Sequence, residues 1–84
     1  MSLALYVLDV PEFQPVARAA EAAGLTARRA GDYLELSTDA DEAVLRRDES
    51  AIRTAVWHAA LTGGLDGRIV RFTSDILHLA KEQA

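Results

Sequence analysis

The chain contains no cysteine, so it forms neither a disulfide nor a thiolate metal site. Two histidines are too few for a zinc centre built on several imidazoles, and no metal or cofactor is expected. Lysine occurs once, at Lys81, and arginine supplies the other cations. With abundant alanine, this reads as the codon bias of a GC-rich genome, which lowers the functional meaning of each arginine. No apolar stretch approaches the roughly 20 residues of a membrane span. The apolar opening lacks a basic start and runs into Pro11-Glu12, so no signal peptide is expected, and the expected location is cytoplasmic. A net charge of -4 argues against a nucleic-acid module, which is usually basic.

Catalytic signatures are equally sparse. Gly63-Gly64 is followed by Leu65-Asp66-Gly67 and not by the Lys-Ser/Thr of a phosphate loop. Ser50 and Ser74 lack the context of a nucleophile elbow. Asp39, Asp41 and Glu42 lack the glycine and terminal glutamate of a calcium loop. No catalytic residue is named on this basis, and an enzyme is the less favoured class.

What is present is apolar patterning. The 84 residues make one domain, 1–84, and half of them, 50%, are apolar. A chain this short buries only about 60% of its unfolded surface. The stretch from Asp48 to Leu79 organises the rest. Ile52, Ala55, Val56 and Ala59 recur at the three- and four-residue steps of a helix. Asp48 stands where an N-cap belongs, and Glu49 adds negative charge to the first turn. Gly63-Gly64 ends the helix, with one of the two expected at positive φ. Arg68 to Phe72 is β-branched and aromatic, as strands are. Thr73-Ser74-Asp75 is turn chemistry, and Ile76 to Leu79 returns as a strand. The segment from Ser74 to Ala84 also admits a helix capped by Ser74. The strand is preferred because Ile69 to Leu79 reads as a hairpin.

The first half follows the same plan. Ser2 to Val10 is a strand whose continuous apolar run fits a covered, central position. Asp9 is expected to cap the following helix, with Glu12 three residues on and Pro11 in the first turn. Phe13, Val16, Ala17 and Ala20 form its buried stripe, and Gly24 stops it. Leu25 to Ala30 and Tyr33 to Thr38 are strands around Gly31-Asp32, with Leu34 and Leu36 on one face. Glu42 to Arg47 is a further strand. Laid over each other, the halves at about 1–38 and 42–80 match Asp9 with Asp48, Phe13 with Ile52, and Gly24 with Gly63. Asp32 to Leu36 then matches Asp75 to Leu79. The reading is an α+β domain: two β-α-β-β units forming a mostly antiparallel sheet with two helices on one face.

The segments GDYLELS at Gly31–Ser37 and AVWHAALTGGLDGRIVRF at Ala55–Phe72 resemble small actinobacterial proteins of no assigned function. The resemblance covers most of the chain and implies a stand-alone domain, with nothing about catalysis.

Two surfaces follow from this reading. Trp57 and Leu61, beside Arg53, fall off the stripe centred on Ile52 and Val56, so their burial requires another chain or a covering loop. Buried Trp and Arg favour interface centres, which makes Trp57, Leu61 and Arg53 the expected contact of a homodimer. The second is the open sheet face, where Arg28, Arg46, Arg71, Glu35 and His78 would hold a small anionic ligand. Glu35 and His78 occupy equivalent places and are candidates to meet. The bland alternative is ordinary surface charge. The leading function is a small binding or accessory protein that acts by self-association or by binding a protein partner. The rival is a ligand-binding protein or enzyme on the open face.

Overall fold

The computed structural model describes residues 3–48 and 50–82. Glu49, Ser2 and the end of the C-terminal segment, on which parts of the reading above fall, lie outside the described residues.

Strand β1 (Leu3–Leu8) runs between two neighbours, which accounts for its unbroken apolar sequence. A single 3-10 turn at Pro11–Phe13 leads into helix α1 (Gln14–Ala22). Val16, Ala17 and Ala20 are its buried residues, as their spacing predicts. Asp9 does not cap it: its carboxylate takes Gln14 Nε2 at 3.3 Å and Arg29 Nε at 3.2 Å, while the cap position of the 3-10 turn falls to Val10 and that of α1 to Phe13, neither with a side-chain bond. Gly24, at φ 96°, reverses the chain into β2 (Thr26–Ala30). A two-residue turn at Gly31-Asp32 returns it as β3 (Tyr33–Thr38), with Leu34 and Leu36 inward.

The second half opens with β4 (Glu42–Arg46) and continues through α2 (Thr54–His58), β5 (Leu65–Asp66), β6 (Arg68–Phe72) and β7 (Ile76–Ala80). The C-terminal segment is therefore strand to Ala80, paired along β4 from Glu42↔Ala80 to Arg46↔Ile76.

The α+β class holds, and every pairing is antiparallel. The strands divide between two sheets, ordered β2-β3-β1-β5 and β4-β7-β6, and do not join in one. The division falls at Gly67. Leu65 pairs with Leu5 in the first sheet, whereas Arg68 pairs with Ala80 in the second. Gly67 has φ 149°, and a Cβ there would meet the Leu3 side chain and the Ala80 carbonyl oxygen. Glycine thus lets one extended segment change sheets where two strands come close. Both sheets contribute to one core: Leu3, Leu5, Val7, Leu34 and Leu36 from the first, Ala43, Leu45, Leu77 and Leu79 from the second.

The start of α2 corrects the expected helix at Asp48. Asp48 Oδ1 accepts the Ser50 amide at 3.0 Å and the Ser50 hydroxyl at 2.6 Å, and its carbonyl accepts the Ala51 and Ile52 amides. These bonds build a local turn, an alternative to helix that short polar side chains favour. The Ser50 bonds also hold the Asp48 carboxyl below its ordinary pKa. Arg53 is extended, with ψ 151°, so the helix begins only after it. No described helix is long and apolar enough to cross a membrane.

Candidate functional site

Trp57 lies inside the chain. It is 0% exposed, its Nε1 donates to the Thr73 carbonyl at 2.7 Å, and its ring meets Phe72 edge-on at 5.9 Å. Leu61 packs partly buried against the same core, and Arg53 is exposed at the α2 N-cap. Of the two covers expected for Trp57, another chain or a covering loop, the chain itself supplies it at Phe72 and Thr73, and the placement of Trp57 off the inward face is corrected. The error was one of phase. Ile52 precedes the helix, with extended Arg53 between, so Ile52 and Val56 do not define its face. Trp57 in α2 and Ala60 in the 3-10 turn that follows it (Ala59–Leu61) are buried, while Val56 and Leu61 are both half-buried.

The five expected ligand residues divide between the two sheets. Arg28 and Glu35 belong to the first sheet, where they pair across strands with Arg28 Nη2 3.0 Å from Glu35 Oε1. The Tyr6 hydroxyl donates to Glu35 Oε2 at 3.0 Å, completing a row across three strands. That hydrogen bond, with some burial and the Glu35 charge, raises the Tyr6 pKa. Arg46, Arg71 and His78 belong to the second sheet. His78 Nε2 lies 2.8 Å from Glu42 Oε1, so Glu35 and His78 each have their own partner and do not meet. Arg71 stands opposite His78, and Arg46 opposite Ile76 next to α1.

Sequence reasoning missed Arg47. Its guanidinium donates from Nε to the Ile52 carbonyl at 3.0 Å, from Nη1 to the Ser74 carbonyl at 3.2 Å, and from Nη2 to Thr54 Oγ1 at 3.1 Å. Its own amide donates to the Asp75 carbonyl at 2.8 Å. One side chain thereby ties the turn before α2 to the β6–β7 turn. The signal was present in the alternation: Ala43 and Leu45 face inward, so Arg47 continues on the inner side, where a cation must find acceptors. Arg47→Ala is expected to cost about 2 kcal/mol, in the range for bonds from a charged donor. Lysine should restore little, because a point charge cannot serve three acceptors in a fork. Urea midpoints of the two variants check this, and a lysine variant as stable as the parent contradicts it.

Strand β6 was also missed as a surface. It ends its sheet, so its outer edge has no strand partner among the described residues. Ile69 is 48% and Val70 43% exposed, and a bulge between Ile69 and Arg71 sets Val70 out of the regular pairing. Phe72, half-buried, anchors the strand between Trp57 and His58.

The chain matches no protein-family model, no curated protein and no solved structure.

Proposed function

We propose that the protein acts by association, and that its own second copy pairs along β6. The observation that carries this reading is an edge strand with no outer strand partner among the described residues and with two exposed β-branched residues. Such an edge offers unpaired backbone groups and apolar side chains together, the combination used in strand addition. Charge restricts the pairing. In the antiparallel register centred between Ile69 and Val70, Arg68 would stand opposite the other copy's Arg71, and like charges directly opposite are unfavourable. In the register centred on Val70, the two valines meet and each Arg71 stands opposite Ile69. That arrangement is isologous and closed, so it ends at a dimer.

The same proposal takes the two halves as duplicates. Each places its returning strand, β3 or β7, in the middle, with the strand before the helix on one side. The Asp9 amide donates to Asp32, and the Arg47 amide to Asp75, which sets Arg47 opposite Asp9 in the comparison where the sequence had set Asp48.

A five-residue edge is small beside the roughly 1,600 Å² of a standard interface, so the dimer is expected to be weak and concentration-dependent. Sedimentation velocity over a dilution series tests it. The parent chain should move from dimer towards monomer on dilution, and Val70→Asp should stay monomeric while remaining folded. A parent chain that is monomeric at high concentration, or a Val70→Asp variant that dimerises equally well, overturns the proposal.

A further inference from the structure

A second surface, sharing no residue with β6, runs along α1. Three adjoining cavities line up there. The first, about 310 Å³, lies at Pro11, Glu12, Arg53 and Val56. It shares Pro15 and Ala51 with the second, of about 320 Å³. That in turn shares Ala19, Ala22 and Arg46 with a third, of about 130 Å³, which reaches Val44. The result is one groove between α1 and the chain from Val44 to Val56.

Its floor is short-chained: Pro15, Ala19, Ala22 and Ala51 leave room for close approach. Its charge is opposite to that of the molecule. Arg18, Arg46 and Arg53 line it, and none is in an ion pair among the described residues. Among the described residues two acids line it, Glu12 and Asp48, and the Ser50 bonds keep Asp48 ionised, so three cations face two anions. A chain of net charge -4 thus presents a groove with an excess of cations.

We infer that this groove receives a short amphipathic helix of a partner protein, with an apolar stripe against Pro15, Ala19, Ala22 and Ala51 and acidic residues facing the three arginines. The backbone decides for a helix. One wall is α1, whose peptide groups bond within the helix. On the other wall the Ser50, Ala51 and Ile52 amides all bond back to Asp48. An extended peptide would bring unpaired amides to an apolar floor, whereas a helix satisfies its own. The nine residues of α1 span about 14 Å, enough for the i, i+3 and i+7 positions of a partner helix. Alanines at the contact permit a close interhelical distance.

The probe is a fluorescein-labelled helical peptide with leucines at those positions and glutamates on both flanks. The control carries lysines in place of the glutamates. Fluorescence anisotropy should show saturable binding of the acidic peptide and binding weaker by about tenfold or more for the basic one. Arg18→Glu should weaken the acidic peptide by a similar factor. Ala22→Glu, an exposed position on α1 whose folding is checked by circular dichroism, should remove binding by filling the floor. Any of three results overturns the inference: no saturable binding, equal binding of both peptides, or undiminished binding to Ala22→Glu. So does movement of the Ala19 and Ala22 methyl resonances on dilution of the protein alone, which would seat a second copy in the groove.

Discussion

Trp57→Ala is expected to lower the free energy of unfolding by about 3–5 kcal/mol, the range for truncating a buried aromatic. A domain of 84 residues has roughly 4–12 kcal/mol in total, so the variant should be at or near the edge of folding. Three losses coincide. The ring fills space in the core shared by both sheets, and its removal leaves a cavity. Its edge-on contact with Phe72 at 5.9 Å disappears, and with it the anchor of β6. The Thr73 carbonyl loses the donor at 2.7 Å. Trp57→Phe separates these contributions, because it keeps a ring but orphans the carbonyl, and should cost about 1–3 kcal/mol. Urea denaturation followed by far-ultraviolet circular dichroism measures both. A loss below about 1 kcal/mol for alanine would mean that the indole is not packed in the core as described.

The second large effect belongs to Gly63. A Cβ there would overlap the Tyr6 carbonyl group, which belongs to β1 and cannot turn aside as a side chain would, and would press on Tyr33 Cε1 at 3.2 Å. Gly63 is not at positive φ, so its requirement is for space and not for backbone freedom. Gly64 is the reverse: its φ is 112°, yet a Cβ there meets nothing closer than Tyr6 Cδ2 at 4.0 Å. To accommodate Gly63→Ala, the segment must withdraw from β1, which breaks the bond from the Tyr6 amide to the Gly64 carbonyl and disturbs the Leu5↔Leu65 pairing. The expected cost is about 3 kcal/mol or more, at the upper end for overpacking. Gly64→Ala carries only backbone strain, of roughly 1–2 kcal/mol. The order of the two variants is the test. Melting temperatures that rank Gly64→Ala as the more damaging would reverse the assignment.

These residues also mark how far the sequence could be read. Strand β3, the buried stripe of α1 and the C-terminal hairpin were legible because each is continuous, and alternation or helical spacing then fixes its faces. The positive φ at Gly64 was legible for the same local reason. Three features were not. Asp48 carries the signature of a helix cap, but its side chain closes on Ser50, and extended Arg53 resets the helix phase. That one interruption moved Trp57 from an expected surface to the core. The division into two sheets depends on Gly67 passing beneath Leu3 and Ala80, a contact between residues far apart in the chain. Arg47 was read only as the end of the strand from Glu42, although its parity with Leu45 pointed inward. The division of the candidate ligand residues was hidden on the same ground, since Glu35 and His78, alike in each half, lie in different sheets with separate partners.

The pairing of two copies along β6 is tested most directly by amide hydrogen exchange of that strand as the protein concentration is varied. In the monomer the outward amides of Arg68 to Phe72 have no strand partner among the described residues, while β7 is paired on both sides. The expected result is protection of the outward β6 amides that rises with concentration, centred on Val70 and abolished by Val70→Asp, with β7 unchanged. Exchange in β6 that is fast and independent of concentration would contradict association through this edge.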